Sequence, residues 1–169
     1  MQCPYYIIKG ITDLLAIDKS EINVVQTTTG GGFGGKEEYP SILAAHVALL
    51  SQASGRPVKI IYDRTEDLQS TTKRHPTTIT IRSRVSDAGR LLTWEADVLV
   101  DGGAYNTLTP VVLSRTVLHV TGPYRCDNYN ITGYAVATNT PPNGAFRGFG
   151  APQAQFASER HMDRIARVM

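Results

Sequence analysis

The chain holds only two cysteines in 169 residues, Cys3 and Cys126, and their wide separation excludes several chemistries at once. No CxxC pair exists to hold a structural zinc, an iron–sulfur cluster or a redox disulfide. Two thiols without partner spacing fit a reducing, cytoplasmic compartment. Long apolar runs are missing too: none approaches the roughly 18 residues of a membrane-spanning helix, so neither a spanning segment nor an export leader before the first helix is expected. Net charge is small. Seventeen basic residues against fifteen acidic ones leave +2, which gives no general attraction to nucleic acid or a membrane surface. The local cluster Lys73-Arg74-His75, with Arg82 and Arg84, reads as a solvated face rather than a phosphate track.

Glycine, by contrast, is concentrated. The run Gly30-Gly31-Gly32-Phe33-Gly34-Gly35-Lys36-Glu37 places five glycines around one phenylalanine, which is poor packing material. Glycine has no Cβ and tolerates positive φ, so successive N–H groups in such a loop can converge on an anion or a flat polar ligand. Two familiar patterns are met in part. Gly30, Gly32 and Gly35 fit a dinucleotide fingerprint, but no acid for a ribose stands about 20 residues onward. Gly30, Gly35 and Lys36 fit a phosphate loop until its last position, where Glu37 replaces the Ser/Thr that ligates Mg²⁺. A nucleotide- or phosphate-binding module and an unliganded glycine loop remain alternatives at this point.

Hydrophobic content of 41% and charged content of 19% suit one packed domain or two subdomains, 1–75 around the glycine loop and 76–169 beyond it. Pro4 opens a helix through Ile17, with Ile8, Ile11 and Leu15 on one stripe. Ile22 to Thr27 reads as a strand. Pro40 starts a helix that ends at Gly55 and is apolar nearly all round, which predicts burial and a satisfied core role for His46. Val58 to Tyr62 reads as a short buried strand. Ile79, Ile81, Ser83 and Val85 alternate with polar residues, a turn follows at Asp87 to Arg90, and Leu92, Trp94, Ala96, Val98 and Val100 alternate in turn. That pattern predicts a long antiparallel hairpin with one face inward. Pro110 to Val120 reads as helical and Tyr129 to Thr138 as extended. Ala151-Pro152 opens a last helix striped by Met162, Ile165, Ala166 and Met169. The stripe still running at the last residue, and the abrupt start, predict an internal piece of a longer protein. The fold class expected is α+β, with two-layer mixed sheets and helices packed on one face.

A second loop of glycine and aromatics, Ala145-Phe146-Arg147-Gly148-Phe149-Gly150, follows the rigid Thr140-Pro141-Pro142-Asn143-Gly144. Two such loops, each with a prominent charge, imply one ligand with flat and anionic parts. GGGFGGKE together with AFRGFGAPQ, and the intervening DGGAYNTLTPVVLSRTVLHVTGPY, resembles the molybdenum-hydroxylase family of xanthine dehydrogenases and aldehyde oxidases, in the large subunit that binds molybdopterin. The resemblance covers essentially the whole chain and lies closer to the xanthine dehydrogenase branch.

That resemblance implies roles residue by residue. Gly32, Phe33 and Gly34 match the loop lying against molybdenum and pterin, Arg147 matches an arginine of the second loop at the cofactor, and Gln2 matches a glutamine that hydrogen-bonds an oxygen ligand of molybdenum. No protein residue ligates the metal directly, since the pterin holds it. Phe149 matches a ring that packs on the substrate plane. Glu37 and Arg115 match a glutamate and an arginine at opposite ends of a purine, where an arginine stabilises negative charge developing in the transition state and a glutamate can hydrogen-bond ring nitrogens. The family commonly follows that glutamate with Thr-Arg. Here Glu38-Tyr39 follows, which leaves open which carboxylate faces the substrate and whether the substrate is xanthine, hypoxanthine or nicotinate. The implied reaction is hydroxylation of a heterocycle with water as oxygen source. Iron–sulfur clusters and FAD are expected elsewhere in the complex, with the remainder of the large subunit as partner. The family's catalytic base has no candidate in this segment, so the segment alone is expected neither to turn over nor to retain cofactor tightly.

Overall fold

The computed structural model describes residues 1–169 throughout, and the chain divides into two compact units. The first comprises residues 1–73 with 144–147, and the second comprises 74–143 with 148–169. The sequence-based division at residue 75 assigns the whole second glycine loop to the later part; in the structure Gly144 and the loop's first three residues, Ala145 to Arg147, associate with the first unit.

In the first unit, helix α1 spans Pro4–Leu15 and closes with Ala16 in the left-handed region. Helix α2 spans Pro40–Ser54 and ends on Gly55 at φ 63°, where its N–H reaches the Ser51 carbonyl. Both helices carry proline in the first turn, where the missing N–H costs no helical hydrogen bond. They pack on each other, with Gly10 facing Ser41 at the crossing. A short helix α3, Arg64–Ser70, is started by a reciprocal cap in which Asp63 accepts from the Glu66 amide and Glu66 accepts from the Asp63 amide.

Three expectations fail here. Residues 22–27 and 58–62 form no strand, because nothing in the chain pairs with their backbone; Val25 and Ile61 stand 74% and 72% exposed. Helix α2 has no buried residue. Helix α1 covers one side of it, and Ile42, His46, Leu49 and Leu50 are exposed, so His46 is a surface residue rather than a core one. Periodicity reports the apolar character of that helix correctly but says nothing of what covers it.

The second unit holds a single three-stranded mixed sheet. Strand β1 (Thr77–Val85) pairs antiparallel with β2 (Leu91–Gly103), and β2 pairs parallel with β3 (Tyr129–Ala137). Ile79 faces Val98, Ile81 faces Ala96 and Ser83 faces Trp94, which is the register the alternation predicts. The pairing then jumps from Arg84–Thr93 to Val85–Leu91. Leu92 is the extra residue of that bulge and is exposed, outside the stripe it was expected to join.

One face of the sheet is covered by helix α4 (Thr109–His119) and helix α5 (Ala151–Val168). Trp94, Ala96, Val98 and Val100 on β2 pack there with Val120, Cys126 and Ala154. The opposite positions Glu95, Asp97 and Leu99 are exposed, giving the period-2 pattern of a half-covered sheet. On α5 the buried stripe is Ala154 and Ser158, continued by half-buried Met162, while Ala166 and Met169 are exposed. The basic cluster also differs from expectation: His75 is 2% exposed and its Nε2 meets Thr109 Oγ1 at 2.9 Å, while Lys73 Nζ donates to the carbonyls of Asp67 and Thr71. Cys3 and Cys126 are both free thiols. No helix is long and apolar enough to cross a membrane.

Candidate functional site

The glycine loop is built on Gln2. Its side-chain Oε1 accepts the Gly34 amide at 2.8 Å and the Lys36 amide at 3.3 Å, and its backbone N–H donates to the Lys36 carbonyl at 2.6 Å. Gly32 explains itself at the same point, because a Cβ there would overlap the Gln2 amide. With Oε1 consumed inside the loop, Gln2 keeps Nε2 as a donor. Two tight turns, Gly35 N–H to the Gly32 carbonyl and Glu37 N–H to the Gly34 carbonyl, fold the rest. The amides of Gly31, Gly32 and Phe33 make no hydrogen bond within the chain.

Phe33 sits at φ 51°. A phenylalanine in the left-handed region is strained, and such strain persists where the surroundings impose it. Its ring folds back over Gly31, whose φ of 136° and missing side chain make room, since a Cβ there would lie 3.1 Å from the ring. The ring remains 65% exposed. Over it lies Arg147, with its guanidinium carbon 5.0 Å from the ring centroid, the spacing of a cation–π pair.

The segment 144–147 approaches the first loop backbone to backbone. Gly34, at φ 94°, has no room for a side chain: a Cβ would stand 2.7 Å from the Ala145 carbonyl and 2.8 Å from the Phe146 nitrogen. Glu38 Oε1 accepts the Ala145 amide at 3.2 Å, and the Gly144 amide donates to the Lys73 carbonyl at 3.0 Å. Glu37 is half-buried, and burial together with the negative charge of Glu38 pushes its carboxyl above the usual carboxylate range. Tyr39 behind it is buried, edge-on to Tyr62 at 6.4 Å, and burial raises its phenol strongly.

Phe149 and Arg115 belong to the second unit. Phe149 repeats the strain of Phe33, at φ 50°. The following Gly150 fits against one turn of α4, because a Cβ would stand 2.5 Å from the Val112 carbonyl and 2.7 Å from Thr116 Oγ1. Arg115 is the exposed neighbour of that buried Thr116. The entry to the second loop is pinned to the end of β2. Asp101 Oδ1 accepts from the Gly103 amide and the Thr138 hydroxyl, and Asn143 Nδ2 donates to the Asp101 carbonyl. Gly103, at φ 77°, lets Pro142 pass with only 2.8 Å between its Cα and where a Cβ would be.

The first unit thus gathers Gln2, Gly32, Phe33, Gly34, Glu37 and Arg147, with free amides, a strained exposed ring and a cation around one backbone seam. These features fit a large, flat, anionic ligand held by backbone contact. A model of the molybdopterin cofactor-binding domain matches residues 1–169. The chain belongs to the molybdopterin cofactor-binding domain family. Among its relatives, a probable xanthine dehydrogenase subunit of Bacillus subtilis (strain 168) is 43% identical over 153 residues, 90% of this chain and 20% of that protein. The nicotinate dehydrogenase large molybdopterin subunit of Eubacterium barkeri is 37% identical over 168 residues, 99% of this chain and 39% of that one. In structure, the domain resembles quinoline 2-oxidoreductase from Pseudomonas putida 86, with a TM-score of 0.86 and 34% identity across 99% of this chain and 22% of that one. The chain therefore spans well under half of the proteins it matches.

Sequence reasoning missed Glu38 as the side chain that reaches the second loop, and Asp101 as its anchor. One signal was available. Gly144 directly before Ala145-Phe146-Arg147 marks a backbone that something must approach closely, and that something is Glu38 together with Thr72, whose Cβ would lie 2.7 Å from a Cβ at 144.

Proposed function

We propose that this molybdopterin cofactor-binding domain forms part of a hydroxylase acting on a flat nitrogen heterocycle of the purine type, xanthine or hypoxanthine, with water as the oxygen source. The activity belongs to the longer protein. The remainder of its large subunit would complete the site, and iron–sulfur and flavin parts would carry electrons away. When bound, the molybdenum cofactor supplies the two-electron oxidation and the activation of water for it.

The residues of this chain bind and polarise. Gln2 Nε2, the amides of Gly31 to Phe33, the Phe33 ring and Arg147 hold the cofactor, while Gly32 and Gly34 leave room for the Gln2 side chain and the Ala145 backbone that shape the loop. Glu37 carries the substrate reading. A carboxyl held above its usual range is protonated to higher pH than an ordinary glutamate, so it can donate to a ring nitrogen as well as accept from a ring N–H. A benzaldehyde-like substrate offers no such partner. Arg115 supplies a cation for charge that develops on exocyclic oxygen or ring nitrogen, and Phe149 supplies a ring plane for stacking.

The test is a substrate panel on the full-length protein, comparing xanthine, hypoxanthine and nicotinate with benzaldehyde. Turnover of a purine, lost by at least about 10²-fold in Glu37→Gln and Arg115→Ala, supports the reading, since removal of one charge-stabilising donor costs about that much. Turnover of benzaldehyde with the heterocycles inert overturns it.

A further inference from the structure

Glu38 Oε1 is taken up by the protein itself, at the seam between the two loops. Its backbone is fixed at the start of α2, where its carbonyl accepts both the amide and the hydroxyl of Ser41, at 3.1 and 2.6 Å. From there the side chain crosses to the Ala145 amide. The neighbouring positions are shaped around it, because Gly144 has no side chain to collide with Oε1 and Gly34 lies against the Ala145 carbonyl. Its second oxygen, Oε2, is buried without a hydrogen-bond partner. A clamp alone needs one acceptor, and a buried, unpaired carboxylate oxygen is costly.

We propose that Glu38 is the positioning residue that closes the two cofactor-facing loops on each other, one carboxylate oxygen holding the Ala145 amide. The proposal rests on the reading of both loops as cofactor walls. Glutamine at 38 keeps the acceptor and removes the charge, whereas alanine removes both.

The two variants separate the roles in the full-length protein. Hydrogen exchange read by mass spectrometry across residues 143–147 needs no substrate and no turnover, so it is independent of whether purines are the substrate. Glu38→Ala should speed exchange at the Ala145 amide at least about tenfold and lower the molybdenum-to-protein ratio, while Glu38→Gln should stay within about threefold of the parent. Unchanged exchange in Glu38→Ala, or equally fast exchange in both variants, overturns the clamp.

Discussion

The guanidinium of Arg147 lies 5.0 Å from the ring centre of Phe33, joining the middle of one glycine loop to the middle of the other. Neither residue is buried, so apolar packing does not hold the pair. The contact uses the planar, delocalised cation of arginine on an aromatic face. Substitution Arg147→Lys keeps the charge but loses the plane. We expect the molybdenum-to-protein ratio of the purified full-length protein to fall in Arg147→Lys and further in Arg147→Ala, with melting temperatures nearly unchanged, since an exposed cation–π pair is worth only about 0.5–1 kcal/mol.

Phe33 separates strain from function. At φ 51° the residue sits in a conformation that costs an L-amino acid roughly 1–2 kcal/mol and glycine almost nothing. Phe33→Gly should therefore leave thermal stability equal or higher while cofactor retention drops. A fall in both would mean that the ring is a packing residue, and calorimetry alongside metal analysis distinguishes the cases.

Gly34 and Gly30 form a matched pair for testing the seam. At Gly34 an alanine would meet the backbone of Ala145 and Phe146 within 2.8 Å and at φ 94°, whereas at Gly30 nothing lies within 4 Å. Gly34→Ala should cost at least about 2 kcal/mol or open the loops outright, and Gly30→Ala should stay within about 0.5 kcal/mol. Denaturant melts of both variants check this. Equal effects would sink the idea of a backbone seam.

The legible part of this chain is whatever its residues state locally. Proline at helix starts, Gly55 at a helix end and the alternation through Ile79, Ile81, Trp94, Ala96 and Val98 each carry their own geometry, and the elements form where those signals stand. The glycine loops are legible for a similar reason, since a Phe between glycines declares an unusual backbone. What fails depends on partners. Residues 22–27 and 58–62 have strand-like composition but no ladder to join, and the apolar faces of α2 have only α1 beside them. Long-range polar anchors such as Glu38 on Ala145 or Asp101 on Thr138 have no sequence period at all. His75 departs from its expected place because a basic cluster predicts an average environment, and Thr109, 34 residues away, decides the individual one.

His75 also makes a pH prediction for the second unit. Burial lowers its pKa to about 4, against a partial offset from the Asp101 carboxylate. The unfolded chain, with an ordinary histidine near 6.5, then binds a proton more readily than the folded one. The stability that the neutral, Thr109-bonded ring contributes is present above about pH 6.5 and is lost progressively as pH falls toward 4, by about 3 kcal/mol in all. Below 4 both states are protonated and the slope from this residue vanishes. Urea melts of the parent and of His75→Gln at pH 7, 5.5 and 4.5 should show the difference between the two proteins shrinking as pH falls. A difference independent of pH would mean that the histidine titrates normally and that its contact with Thr109 is not what keeps it neutral.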